Sequence, residues 1–361
     1  MRGLKAFILI LLVFTAVMSG CAMVNVRTVV VPEENNHDAL KVGRSYALNE
    51  LIPHNMTLKK IVGFDEQNRV VGWFTKGANC CIMVFDVENR VGQQVVETGE
   101  KITNVKLSGN GGIVYETDSN GSRNLYMIAA GGGRPEKIAE YSAEGSVIGV
   151  NLNNTPVIYT AYRTNGELKL LVLDTASDMA CATFDITKTI RESAGEYYSS
   201  SVRLTDISIG RDGRAAVLVN VGKRCYMWTG VLTDEGKLRD SIVLECGGTK
   251  HLCAERSIFY VDADGTLMRL DTDKNEQSAV VRDVDGFSVS ADEQVIAYLR
   301  SGGSVKKLYV KALGASDEIL LDIKQSLNDF AVSRDGTRII VGYYDKDDDS
   351  RAKYTVSELK R

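Results

Sequence analysis

Short apolar strands and polar turns alternate along most of this chain. The repeating unit is an apolar strand, a polar turn, a stronger apolar strand, a polar loop and a further strand. Three copies are clear: DFAVSRDGTRIIVGYY (329–344), GFSVSADEQVIAYLR (286–300) and DISIGRDGRAAVLVN (206–220). A fourth, NVKLSGNGGIVYETDSNGSRNLYMI (104–128), is close. KIVGFDEQNRVVGWF (60–74), IGVNLNNTPVIYTAY (148–162) and KHLCAERSIFYVD (250–262) are degenerate copies. Aligned, the seven place one turn residue at Glu66, Asn110, Asn153, Asp212, Glu255, Asp292 and Asp335, with spacings of 44, 43, 59, 43, 37 and 43 residues. A short polar side chain at that point can bond the backbone amides of its own turn.

A period of about 40–45 residues with four strands per unit predicts the blades of a β-propeller. The expected fold is all-β, a single propeller of seven four-stranded blades. Six or eight blades stay open as alternatives, because the unit at 250–283 is short and the stretch 143–205 is long. In the sixth copy FSVS is the inner strand, VIAYLR the second, KKLYVKA the third and EILLDI the outer one. This pattern, with its Ser-x-Asp-Gly turn and following Leu-Tyr-Val strand, resembles the TolB-type, WD-like propeller repeat. The resemblance covers most of 57–361, is degenerate in about half the copies, and implies protein–protein assembly in the cell envelope. SRDGTRI (333–339) approaches the sialidase Asp-box but lacks its spacing and its Trp.

The seventh copy ends after its third strand, YTVSEL, with no outer strand of its own. RSYALNELI (44–52) is an alternating strand without a blade. It stands as far ahead of Glu66 as the outer strand opened by Glu318 stands ahead of Asp335. The N-terminal strand is therefore expected to complete the last blade and close the ring, which removes edges open to pairing with other molecules. Helix is expected to be scarce; ITKTIRESAGEYY (186–198) alone has a helical look.

Composition agrees. Gly is abundant (33), Pro scarce (4) and Tyr frequent (15), which suits a turn-rich β protein; 44% of the residues are hydrophobic and 25% charged. Segment 1–20 reads as export rather than fold. Arg2 and Lys5 precede the 13-residue apolar run AFILILLVFTAVM, too short for a comfortable membrane span, and MSGC follows. This resembles the lipobox of bacterial lipoproteins, with Met18 where Leu is usual. The resemblance implies cleavage before Cys21 and its acylation, a firm membrane anchor; an ordinary signal peptide with a chance cysteine is the alternative. Residues 21–43 then read as a lipidated, flexible tether and 44–361 as the propeller, placed outside the cytoplasm on the bacterial cell membrane. In a two-membrane cell, Ala22 rather than Asp after Cys21 favours the outer membrane by analogy. Without Arg2 and Lys5 the chain has 41 basic and 47 acidic residues, a net charge of −6, which excludes a general nucleic-acid binder.

The 59-residue spacing exceeds its neighbours by 16, and the excess falls at TKTIRESAGEYYSSSVR (187–203). Long loops on rigid scaffolds often carry binding. Arg191, Glu192, Glu196, Tyr197 and Tyr198 make this loop a candidate binding surface, and a tolerated insertion is the alternative. Loops between second and third strands open on the same face and bring Lys76, Arg123, Arg163, Arg224, Arg300 and Arg351. These could suit an anionic ligand or simply form a solvated rim, since Asp118, Glu167, Asp262, Asp264 and Asp345 share the loops.

Catalytic and metal signatures are sparse. YDKDDDSRAKY (344–354) and DTDKNE (271–276) lack the Gly and distal Glu of a calcium loop, and DADGT (262–266) reads as a hairpin turn. There is no Gly-x-Ser-x-Gly elbow, and His37, His54 and His251 lie far apart in the repeat plan. No Cys-x-x-Cys occurs. Symmetric pairing of the hairpin 223–246 about Glu235–Gly236 puts Cys225 opposite Cys246, so a disulfide there and buried thiols are both open. No cofactor and no metal are expected. The expected function is a non-catalytic binding or scaffolding module for a protein or envelope polymer. A carboxylate-dependent glycan-processing enzyme and a structural spacer are the alternatives.

Overall fold

The computed structural model describes residues 27–28 and 40–360, apart from 109–110, 131, 151–156, 175–178, 195–201, 211–212, 233–237, 248–250, 254–255, 303–304, 325–326 and 346–347. It is a β-propeller of seven four-stranded antiparallel blades. From inner to outer strand, blade 1 runs Thr57–Phe64, Val70–Lys76, Asn79–Asp86 and Val91–Thr98; blade 2 runs Lys101–Leu107, Ile113–Ser119, Ser122–Ile128 and Glu136–Ser142. Blade 3 is Gly145–Val150, Val157–Thr164, Glu167–Asp174 and Met179–Asp185; blade 4 is Val202–Ile209, Arg214–Val221, Arg224–Leu232 and Leu238–Cys246. Blade 5 is His251–Cys253, Ser257–Val261, Leu267–Asp271 and Glu276–Val281, and blade 6 is Gly286–Val289, Val295–Gly302, Val305–Ala312 and Ile319–Lys324. Blade 7 takes Leu327–Val332, Arg338–Asp345 and Asp348–Lys360 from the C-terminus and Lys41–Ala47 from the N-terminus. Helix α1 (Thr187–Ala194) and a 3-10 turn at Leu48–Leu51 are the helical elements among the described residues.

The ring thus closes by the expected route with a shifted strand. Residues 41–47, rather than 44–52, pair with the last strand: Tyr46 opposes Val356, Ser45 opposes Ser357 and Val42 opposes Leu359. The reason the strand stops at Ala47 is local. Leu48 turns inward and is fully buried in the seam between blades 7 and 1, and Asn49 caps the edge of the last strand. Its Nδ2 donates to the Ala352 carbonyl (2.9 Å) and its Oδ1 accepts from the Tyr354 amide (2.5 Å). Arg27 and Thr28, inside the segment read as a tether, pair in parallel with Glu276 and Gln277 on the outer edge of blade 5.

The apolar core is divided into seven clusters, one in each seam between neighbouring blades. Successive side chains of a strand point to opposite faces, and both faces of a blade are covered. Val295, Ala297 and Leu299 therefore pack toward blade 7, while Ile296 and Tyr298 pack toward blade 5. That is why second strands read as unbroken apolar runs instead of alternating ones.

The turns between first and second strands follow the repeat. In blade 7, Asp335 Oδ1 accepts from Ser333 Oγ (2.7 Å) and the Thr337 amide (3.0 Å). In blade 6, Asp292 does the same with Ser290 Oγ (2.5 Å) and the Gln294 amide (3.1 Å). Blade 1 departs from the alignment, because Asp65 rather than Glu66 accepts from the amides of Gln67 (3.0 Å) and Arg69 (2.9 Å). Its turn is one residue shorter, closing from Asp65 to Arg69 where blade 7 closes from Ser333 to Arg338. Asn110, Asn153, Asp212 and Glu255 lie outside the described residues.

Candidate functional site

The two faces of the ring differ. One carries the turns within each blade from first to second and third to fourth strands. The other carries the second-to-third loops and the links between blades, including the long insertion. Part of that insertion folds as α1. Ile186 and Ile190 drop into the seam between blades 3 and 4, where both are buried. The Thr187 amide donates to Asp185 Oδ1 (2.8 Å), and Thr187 Oγ1 accepts from the Leu168 amide (2.8 Å). Arg191 and Glu192 stand exposed on the opposite side of the helix, with Lys188 Nζ 3.8 Å from Glu192. Glu196, Tyr197 and Tyr198 lie outside the described residues.

Five of the six loop cations are tied to acids of the protein, and the side chain of the sixth, Arg351, lies outside the described residues. Arg123 lies 3.6 Å from Glu116 and 3.4 Å from Asp118. Arg163 pairs with Glu144 (3.3 Å) and donates to the Val202 carbonyl (3.1 Å), crossing from blade 3 to blade 4. Arg300 pairs with Glu318 (2.7 Å), and its guanidinium carbon stands 5.1 Å from the ring centroids of both Tyr298 and Tyr309. Lys76 meets Glu97 (3.0 Å) and Arg224 meets Glu245 (3.3 Å). In blades 1, 4 and 6 the acid comes from the outer strand, or the residue before it, of the same blade. These charges brace strands against one another.

Beneath Arg123 sits a knot that sequence reading missed. Glu116 is fully buried. Its carboxylate accepts from Thr103 Oγ1 (2.5 Å), Asn104 Nδ2 (3.0 Å), Ser146 Oγ (2.8 and 2.7 Å) and the Tyr141 hydroxyl. Burial and the adjacent carboxylate push the Tyr141 hydroxyl pKa up. Because Ser146 belongs to blade 3, the knot ties blades 2 and 3 together. A buried carboxylate is tolerated when donors saturate it. Lys106 Nζ and Asp206 Oδ1 form a second missed pair at 2.9 Å. They join the inner strands of blades 2 and 4, reaching past blade 3 along the central channel.

One opening on the insertion face lies at the closure seam. A groove of about 470 Å³ runs between the link Ala47–Leu58 and the strands of blade 7 around Tyr343 and Ala352–Thr355. Ile52, Met56, Leu58, Tyr343 and Tyr354 supply apolar surface, and Asn49, His54 and Lys353 supply polar groups. Among the described residues that line it there is no Asp or Glu. The volume falls within the range of ligand sites, whose walls are mostly apolar with a few placed polar groups. The sequence signal, an alternating strand with no blade of its own, marked this segment for closure and not for binding.

Cys225 and Cys246 face each other in the expected register. The strand irregularity falls between Thr229 and Val231, nearer the turn, and leaves this pairing intact. The Cys246 thiol donates to the Cys225 sulfur at 3.2 Å, which holds the Cys225 pKa below the ordinary thiol value and, with burial, pushes that of Cys246 up. Among the described residues no three His, Cys, Asp or Glu side chains gather in a metal-binding group, and no helix is long and apolar enough to cross a membrane.

No family model and no curated protein matches the chain. Solved structures do. An oligogalacturonate lyase in complex with manganese aligns at a TM-score of 0.58 and 11% identity, over 93% of this chain and 99% of that one. A prolyl endopeptidase aligns at 0.57 and 10% over 80% of this chain, which spans only 45% of the endopeptidase. The β-propeller domain of the Trilobed protease from Pyrococcus furiosus, described as having an open velcro topology, aligns at 0.56 and 12%, covering 86% and 96%. TolB from Acinetobacter baumannii aligns at 0.43 and 10% over 86% of this chain and 65% of that one, too loosely to carry an argument. At such identities the likeness establishes the seven-bladed propeller. It also corrects the expectation of a non-catalytic chain: this architecture is shared with enzymes, so the lack of a catalytic motif does not assign the protein to the non-enzymes.

Proposed function

We propose that the chain is an extracytoplasmic lipoprotein, anchored through Cys21, whose propeller takes an extended stretch of a protein or an envelope polymer on its insertion face. The groove at the closure seam carries this reading. It is of ligand size, is lined by both apolar and polar side chains, and opens on the face that also bears α1. It is built largely on strands rather than on loop tips alone, so its shape is held without a ligand. The anchor is supported by the basic start, the short apolar run and the small residues before Cys21.

The test is photocrosslinking in the native membrane. A crosslinking side chain replaces His54 in the groove or Asn275 on the opposite face of the full-length chain. A covalent partner trapped from position 54 and not from 275 supports the reading. Equal labelling at both positions, or none at 54, refutes it. Recovery of the C21S chain in the soluble fraction tests the anchor separately.

A further inference from the structure

One turn departs from the rule that the other described turns of its kind keep. The residue that closes the first-to-second-strand turn has positive φ, a conformation that favours Gly and, less strongly, Asn. Blades 1, 2, 4 and 7 use Asn68, Gly111, Gly213 and Gly336 there. Blade 6 uses Glu293, at φ 58°. A non-glycine residue held in that region is strained, and such strain persists where surrounding structure enforces it.

The side chain shows what enforces it. Glu293 is buried and reaches back into blade 5. One carboxylate oxygen accepts from the Arg256 amide (2.6 Å), and the other accepts from Ser257 Oγ (2.9 Å) and Arg269 Nη2 (2.7 Å). Arg269 Nε also donates to Ser257 Oγ (2.7 Å). One edge of the Arg269 guanidinium is therefore locked by two bonds. Its Nη1 has no partner among the described residues, and the side chain keeps 33% of its exposure. Arg269 lines a cavity of about 420 Å³ with Arg256, Asp292, Gln294, Leu313 and Gly314. The Arg256 guanidinium is exposed and likewise has no partner among the described residues.

We infer that this cavity, at the seam of blades 5 and 6 on the turn face, binds a carboxylate-bearing ligand. The inference is independent of the groove on the opposite face. The open donors here are guanidinium N–H groups, whose planar fork matches the two oxygens of a carboxylate. The carboxylates of the wall already accept from the protein: Glu293 from three donors, and Asp292 Oδ1 from Ser290 Oγ and the Gln294 amide. Two cations and two anions leave the wall near neutral, which suits a single ligand charge better than the double charge of phosphate. Glu293 acts as a positioning residue that fixes Arg269, and Arg256 and Arg269 make the contact.

The full-length chain in detergent is titrated by calorimetry with glucuronate, N-acetylglycine, glucose and inorganic phosphate. Saturable binding of glucuronate or of N-acetylglycine is expected, with phosphate and glucose weaker. Whichever carboxylate binds tighter identifies a sugar acid or a peptide C-terminus as the source. R256A is expected to lose at least tenfold in affinity at unchanged melting temperature. E293G, which restores the residue that this turn favours, is expected to weaken binding by freeing Arg269. Failure of both carboxylates to saturate, phosphate binding tighter than either, or wild-type affinity in R256A overturns the site. Wild-type affinity in E293G with lowered stability overturns the positioning role and reduces Glu293 to a seam fastener.

Discussion

Blade 7 joins the two ends of the chain, whereas blade 5 comes mostly from one continuous stretch, yet blade 7 is the more extensively paired. Its third strand runs 13 residues, flanked by strands of 8 and 7. Blade 5 has strands of 3, 5, 5 and 6 residues. It is held in part from outside: by the Glu293 carboxylate of blade 6, by the Gly247 amide donating to the Val261 carbonyl (3.0 Å), and by Arg27–Thr28 along its outer edge. Continuity in sequence therefore does not decide how firmly a blade is set. Backbone pairing length does so in blade 7, and ties from neighbours compensate in blade 5.

The strongest way to break this comparison is to delete residues 41–47. The cut removes the outer strand of blade 7 and exposes the edge of the last strand. The expected outcome is loss of a cooperative thermal transition and concentration-dependent aggregation, read by light scattering. A cooperative melt at the parent temperature would show that the ring closes without it.

Two glycines sharpen it. A Cβ at Gly247 would stand 2.2 Å from the Asp262 carbonyl oxygen and 2.9 Å from the Ala263 Cα, both backbone atoms of blade 5. A Cβ at Gly342 in blade 7 would meet the Tyr354 ring at 2.3 Å. Neither neighbour can yield freely, but a ring can shift where backbone cannot. G247A is expected to cost about 3 kcal/mol and G342A about 2 kcal/mol, in the range of overpacked cores, measured by denaturant titration. The reverse order would mark blade 5 as the softer of the two.

The smallest effect concerns Asp335. Burial opposes its ionisation, but hydrogen bonds from Asn68, Ser333 and Thr337 outweigh burial and hold its pKa down to about 2. A carboxyl depressed in the folded state stabilises fully above its unfolded value of about 3.9 and loses that contribution as pH falls toward about 2. The group is partly solvated, so the contribution is on the order of 1 kcal/mol. D335N is expected to lower the melting temperature at pH 7 by a few degrees and to have a shallower decline between pH 4 and 2. An unchanged acid profile would place the acid sensitivity elsewhere.

Much of the architecture was legible. The repeat foretold seven blades, the acids at Asp292 and Asp335 bond their turns as short polar side chains should, and the unpaired strand near residue 44 pointed to closure. The misplacements have physical causes. One shorter turn moved the capping acid from Glu66 to Asp65, and the inward turn of Leu48 shifted the closing strand to 41–47. The rim arginines looked open to a ligand because their partners, Glu144 for Arg163 and Glu318 for Arg300, sit in other strands or links, well removed along the chain. Glu293 is one residue past the aligned acid of its turn, and nothing nearby in the chain announces Ser257 or Arg269.

The sequence by itself determined what depends on neighbours along the chain: strand alternation, turn chemistry, the period, and the spare strand before the first repeat that matches the strand missing from the last. The tertiary structure alone decided which charges are neutralised, where the groove opens, and which carboxylate braces which guanidinium. Strand and turn preferences act over a few residues. Hydrogen bonds and ion pairs act over a few ångströms, and closing the ring brings together residues from opposite ends of the chain, such as Asn49 and Tyr354.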